Sequence, residues 1–227
     1  MNCLLRPILA YTLAALLLAM PGHAVAKSDT HYWASSSISV KLNNKFVLTN
    51  DSSVRSSDAK GLYQAINHFL VGYKATKHVT VTLGYTSDFQ HLHGTFTTTE
   101  NRFRQQIASD QLAMIGTAKL SGKLRLEERW RDGFAGTGWR MVPSTRLALP
   151  LSKKLALNLS EDVFFNLNTT GFQKTPGLDR LRTAVSLGMP LAKHFTLELG
   201  YMEQHGFVPA AEDTDDHVMT AKIIAAF

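Results

Sequence analysis

Cysteine is almost absent from this 227-residue chain, and the one present, Cys3, lies at its extreme N-terminus. Beyond the first 26 residues there is therefore no thiol. Disulfides, thiolate zinc sites and a cysteine nucleophile are excluded there. Long apolar runs are missing too. No stretch reaches the roughly 20 apolar residues that a membrane-spanning helix needs. Acidic residues are the minority, 18 against 24 Lys and Arg, giving a formal net charge of +6. The chain has no Walker loop, no GxGxxG opening a helix, no HExxH and no GxSxG. Nucleotide, dinucleotide, zincin and serine-hydrolase chemistry thus lose their usual signatures. No cofactor and no metal are expected.

Residues 1–26 have the form of an export signal. Met1–Pro7 carries one cation, Arg6, and no acid, and Ile8–Met20 is apolar throughout. Pro21 and Gly22 then break any helix, and Ala24-Val25-Ala26 offers the small side chains that a signal peptidase accepts. Cleavage is predicted after Ala26, leaving 27–227 as one domain. Cys3 precedes the apolar run, so it is not a lipoprotein cysteine. A cysteine-free chain suits an oxidising periplasm. The basic balance would ordinarily suggest nucleic acid. Export argues against that and points to anionic lipids and lipopolysaccharide phosphates as the acidic neighbours.

The remaining residues keep a two-residue rhythm. Val79, Val81, Leu83 and Tyr85 alternate with Thr80, Thr82 and Gly84. Leu155, Leu157 and Leu159 alternate with Ala156, Asn158 and Ser160. Phe195, Leu197, Leu199 and Tyr201 alternate with Thr196, Glu198 and Gly200. Period two places successive side chains on opposite faces of a strand. The candidate strands are about 31–42, 44–57, 62–76, 78–92, 101–119, 121–133, 138–152, 153–167, 177–192, 194–207 and 216–227. They exceed the five or six residues usual in soluble sheets and suit tilted membrane strands. Tight connections at Asn43-Asn44, Lys77, Ser121-Gly122, Lys153-Lys154 and Ala192-Lys193 alternate with longer stretches at 57–62, 92–100, 132–138, 167–177 and 207–216. Short turns at one end and long loops at the other are a membrane-barrel pattern. Aromatics near strand ends read as an interfacial girdle: Tyr32, Trp33, Tyr73, Tyr85, Phe103, Trp130, Trp139, Phe164, Phe165, Tyr201 and Phe207.

The last segment, ending in Ala221, Ile223, Ala225 and a terminal Phe227, looks like a closing strand. Phe227 would be the signal read by the outer-membrane barrel assembly machinery. The expected fold is all-β, a single closed antiparallel transmembrane barrel. Eleven segments are legible, yet single-chain bacterial barrels normally have an even number. Twelve strands are expected, the extra one inside 97–120, with ten as the next choice. A soluble periplasmic β-protein is the competing fold.

If the leucine-rich parity faces lipid, the opposite parity lines the lumen. Arg125, Glu127, Arg129 and Arg131 share that face, as do Arg102 and Arg104, Arg140 and Arg146, Arg180 and Arg182, with Glu198 and Lys222 beyond. Glu128 falls on the lipid parity and needs an interface or a bulge. The set Arg102, Arg104, Arg125, Glu127, Arg129, Arg146, Arg180, Arg182 and Glu198 is the candidate lumenal cluster. It is either an ion-pair network or a basic site that binds or passes a small anion. A rim enzyme acting on lipid A, phospholipid or peptide is the alternative. It would draw on His91, His93, His205, Asp213, Asp215, Asp216 and His217, with Asp88 and Asp162 inward by parity. His91 and His93 alone do not close a metal site.

Several short motifs occur in order. They are His31-Tyr32-Trp33, the hairpin LNNKFVLTND followed by Arg55, Glu100 to Gln106, Leu124 to Arg129, Leu178 to Arg182, and Leu197 to Met202. In this arrangement the chain resembles the bacterial family called domain of unknown function 2490, over essentially all of 27–227. The resemblance implies an outer-membrane β-barrel and carries no catalytic residues with it.

Overall fold

The computed structural model describes residues 27–227. The export signal expected at 1–26 lies outside the described residues. Eleven strands form one closed sheet. They are β1 (Lys27–Lys41), β2 (Phe46–Ser57), β3 (Gly61–Lys74), β4 (Val79–Leu92), β5 (Thr95–Ile115), β6 (Ala118–Arg131), β7 (Gly138–Ser152), β8 (Leu155–Asn166), β9 (Gly177–Ala192), β10 (Phe195–Gly206) and β11 (Thr214–Ala226). Each strand pairs antiparallel with its sequence neighbour. No helix among the described residues is long and apolar enough to cross a membrane, which says nothing of strands.

The strand number corrects the expectation of twelve. In an up-and-down sheet with an odd number of strands, the first and last run in the same direction. β1 and β11 accordingly close the barrel as a parallel pair, in register from Lys27↔Thr214 to Ser39↔Ala226. The segment 97–120 hides no extra strand. Most of it is β5, which continues to Ile115 through an irregularity between Ser109 and Ala113. The turn expected at Ser121-Gly122 falls at 116–117 instead, where Gly116 has a φ of +61°. Glycine adopts that conformation without a Cβ clash. The stretch 92–100, read as a loop, is a turn at 93–94 and the start of β5.

One end of the barrel carries the connections 42–45, 75–78, 116–117, 153–154 and 193–194, and the other carries 58–60, 93–94, 132–137, 167–176 and 207–213. The long loops thus share one rim, called here the loop end; the opposite rim is the turn end. The outward face is apolar over most of its girth, with Ile38, Val40, Phe69, Val71, Val81, Leu83, Ile107, Leu124, Leu187, Leu199 and Ile223 all exposed. A belt of this kind leaves greasy side chains without a protein partner. A polar patch interrupts it. Asn50, Ser52 and Asn67 point outward near the middle of β2 and β3 and bond to one another, Asn67 Nδ2 donating to Ser52 Oγ at 2.7 Å. Glu128 is also outward, flanked in register by Phe103 and Trp139.

The core is the lumen. Two aromatics assigned to the girdle belong there instead: Trp33 faces inward, and Phe164 is 2% exposed. Both lie on the inward parity of their strands, so alternation outweighs the nearness of a strand end. Apolar Ile66, Leu70, Val142, Met202 and Val218 fill part of the interior. Gly84 shows how close the packing is: a Cβ there would lie 2.7 Å from the Phe69 carbonyl oxygen.

Candidate functional site: an arginine-rich lumen

The loop-end half of the lumen is a charged plug built on three carboxylates. Glu100, on β5, is fully buried and accepts hydrogen bonds from three guanidiniums. Arg102 Nε donates at 2.6 Å, Arg129 Nε at 2.9 Å and Arg131 Nε at 3.0 Å. Glu127, on β6, accepts a hydrogen bond from Arg140 (Nη2 to Oε2, 2.6 Å) and is ion-paired with Arg125 (2.7 Å) and Arg104 (3.9 Å). Asp88 on β4 takes Arg102 and, through Gln64 and Gln90, two amide donors at 2.7 and 2.5 Å. Strand alternation explains the convergence. Glu100↔Arg131, Arg102↔Arg129 and Arg104↔Glu127 are facing pairs across β5 and β6, all on the inward parity. Bidentate forks let each carboxylate serve several guanidiniums. Six arginines nonetheless share three carboxylates, so the plug keeps an excess of positive charge.

The loop 167–176 seals the plug from above. Gln173 is buried, accepts from Arg129 Nη1 at 2.7 Å and donates to the Trp139 and Asn168 carbonyls. Phe172 lies against Arg129 and Arg131, its ring centroid 5.5 and 5.1 Å from their guanidinium carbons.

Beside the plug runs a pile of alternating cations and rings. Arg55 stacks on Trp33 at 3.7 Å, and Arg182 lies 4.8 Å from the same ring and 4.6 Å from Phe164. Arg140 follows on Phe164 at 5.2 Å. This bridges the lumen from β2 to β9. None of Arg55, Arg180 and Arg182 forms an ion pair with a carboxylate of the described residues. Their partners are glutamine oxygens: Arg55 donates to Gln64 at 2.9 Å, and Arg182 and Arg180 donate to Gln204 at 2.9 and 3.5 Å. Each glutamine turns its amide to an acid, Gln64 to Asp88 and Gln204 to Asp216.

The turn-end half is different. Many of its inward positions are small: Ser35, Ser37 and Ser39 on β1, Ser53 on β2, Ser144 on β7, Ser160 on β8, Ser186 and Gly188 on β9, and Gly200 on β10. A cavity of about 440 Å³ opens there, lined by Thr80, Ser121, Lys123, Ser144, Arg146, Ser160 and Asp162 among others. A polar space of that size holds water. Arg146 pairs with Glu198 in this half, apart from the plug.

Of the residues singled out in the sequence, Arg102, Arg104, Arg125, Glu127 and Arg129 therefore meet in one network. Arg146 and Glu198 form a separate pair, and Arg180 and Arg182 stand apart without acids. Arg131, Arg140 and Asp88, read as inward by parity but left out of the candidate cluster, are integral to the lumen, as are Glu100, Arg55, Gln64, Gln204 and Gln173, none of them assigned to it, and Trp33, read as a girdle residue. Parity alone could have added Glu100, two residues before Arg102. The glutamine relays had no sequence signal.

The rim histidines do not converge on a nucleophile. His91 bonds its own strand at the Phe89 carbonyl, and His93 occupies a turn with a φ of +49°. His205 sits between Asp215 (Nδ1, 2.5 Å) and Asp213 (Nε2, 3.4 Å), which engages both ring nitrogens. His217 meets Tyr201. His31 lies between Asp29 and Asp216 with Tyr63 on its other nitrogen. No group of three or more acid, cysteine and histidine side chains among the described residues is arranged to hold a metal. Phe227 stacks on His194 and joins the seam, its N–H donating to the Ser39 carbonyl at 2.9 Å and its own carbonyl accepting from Lys41.

Comparison with known proteins places this geometry in company. A family model described as a protein of unknown function (DUF2490) matches residues 30–215. An uncharacterized protein of Methylorubrum extorquens is 27% identical over 170 residues, covering 73% of this chain and 74% of that protein.

Proposed function

Since the chain belongs to the DUF2490 family, whose description assigns no activity, we propose a function from the lumen: an outer-membrane β-barrel, non-enzymatic, that holds a small anion inside a barrel closed to free flow. The carrying observation is that inward guanidiniums outnumber inward carboxylates, with Arg55, Arg180 and Arg182 unpaired by any acid. Fixed positive charge in a water-poor interior attracts anions far more strongly than the same charge in bulk water.

Membrane insertion is supported by the apolar outward belt and by the gathering of long loops at one rim. The export-signal pattern at 1–26 agrees with it. The turn end would face the periplasm and the loop end the exterior, among lipopolysaccharide. The small-residue vestibule gives an approach from the periplasmic side, and the plug under loop 167–176 closes the other. Assembly would run through the barrel assembly machinery.

Expression of the full chain, followed by membrane fractionation and equilibrium binding of a panel of anions to the purified barrel in detergent, tests this reading. Recovery in the outer-membrane fraction with saturable anion binding is expected. Recovery in the osmotic-shock fluid, or a barrel indifferent to every anion in the panel, would overturn it.

A further inference from the structure

We propose that Arg55, Arg180 and Arg182 form a phosphate site, resting on the reading of the lumen as anion-binding. Three features single this trio out from the other lumenal cations. First, the arginines of the plug hold carboxylates, whereas these three hold only glutamine oxygens. A guanidinium has five N–H donors, and each of the three places one on its glutamine. Arg55 Nε and Arg180 Nε are buried without a hydrogen-bond partner, as are Arg104 Nε and Arg125 Nε, but the latter two lie within 4 Å of Glu127.

Second, the stacking leaves the right surface free. The Arg55 guanidinium lies 3.7 Å from the Trp33 ring centroid, and that of Arg182 lies 4.8 and 4.6 Å from those of Trp33 and Phe164. Arg55 gives only Nη1 and Arg182 only Nε to a glutamine, which leaves further N–H groups of each fork for an oxyanion. Stacking also fixes the forks in position before a ligand arrives, so little side-chain entropy is lost on binding.

Third, the site is reachable. All three arginines keep part of their surface open, and Arg182 is the register partner of Asp162, which lines the turn-end cavity.

The charge sets the ligand class. Three guanidiniums with no opposing acid within ion-pair distance match a dianion better than a carboxylate, and forks on two sides of the barrel suit tetrahedral oxygens better than planar ones. That describes a phosphate monoester or inorganic phosphate. Gln64 and Gln204 contribute a further property. Their amides tie the arginines to Asp88 and Asp216 at one remove, orienting the forks without neutralising them. The shared chemistry is the phosphoryl dianion, whether free in the periplasm or carried by a lipid headgroup.

The test uses the refolded full chain in zwitterionic detergent, titrated with inorganic phosphate and, separately, with short-chain phosphatidic acid in mixed micelles. Wild type is expected to bind at least one of the two saturably, and the tighter of them identifies the source. Arg55→Gln with Arg182→Gln should weaken binding about tenfold or more, while Lys222→Gln, another lumenal cation, leaves it within about twofold. Arg55→Lys with Arg182→Lys keeps the charge and guards against misfolding. It should bind phosphate more weakly than wild type, because the forks are lost. Equal phosphate affinity in wild type and both double variants would overturn the site. An equal loss in Lys222→Gln would also overturn it, by reducing the effect to general lumenal charge. If wild type binds sulfate or chloride but neither phosphate probe, the site assignment fails and the anion-binding lumen stands. If it binds no anion, the wider reading fails first.

Discussion

At Glu100 a single buried carboxylate holds Arg102, Arg129 and Arg131. Removing its charge would leave three desolvated guanidiniums facing one another, and breaking a buried ion-pair group in this way costs about 3–5 kcal/mol. We expect Glu100→Gln to lower the unfolding free energy of the refolded barrel, read from urea titration, by that much, whereas Asp110→Asn, an exposed carboxylate beside His78, should change it by less than about 1 kcal/mol. A midpoint for Glu100→Gln within error of wild type would show that the plug contributes little to stability. Much of this network was legible from residue parity alone, because Arg102, Arg125, Glu127 and Arg129 alternate with apolar neighbours. Arg55 and Trp33 were not legible as partners. Their meeting with Arg182 depends on the curvature that brings β2 and β9 together across the lumen, a distance that no local pattern encodes.

Among the elements, β2 and β3 carry a polar interruption of the outward belt, Asn50, Ser52 and Asn67. Satisfied among themselves, these groups still cost more against acyl chains than matched apolar residues would. Replacing hydrogen-bonded partners together by apolar groups of similar shape is neutral to stabilising. The triple variant Asn50→Val, Ser52→Val, Asn67→Leu should therefore unfold at an equal or higher temperature than wild type in detergent micelles, a stabilisation of up to about 1 kcal/mol. A clear drop in the transition would mean that this face does not meet acyl chains. The strands themselves were readable from alternation, and ten of the eleven lie close to the segments that the sequence suggested. β5 escaped because polar Thr97 to Glu100 looks like a loop, although its pairing continues along β4. Strand number was misjudged for another reason: an even count is a habit of such barrels, whereas closure here uses the parallel β1–β11 seam.

For the whole molecule, the cation–ring pile from Arg55 to Arg140 and the loop carrying Gln173 together bar the lumen. Planar bilayers containing the wild-type barrel should stay near baseline conductance. Trp33→Ala with Phe164→Ala removes two rings that fill the cross-section and should admit a current whose reversal potential under a salt gradient reports anion selectivity. A cation-selective current from that variant would contradict an interior dominated by guanidinium charge. Wild-type channels with large, persistent steps would contradict the plug.

The amino-acid order by itself determined the barrel class, the inward and outward faces, and the crowding of arginine on one of them, since all three follow from a two-residue period and side-chain type. Only the tertiary structure decided which arginines meet carboxylates and which meet glutamines, that Trp33 and Phe164 turn inward to separate cations, and that the sheet closes on a parallel pair. Those outcomes depend on register summed around a closed ring, where partners lie many strands apart in sequence, and so they emerge only when the last strand reaches the first.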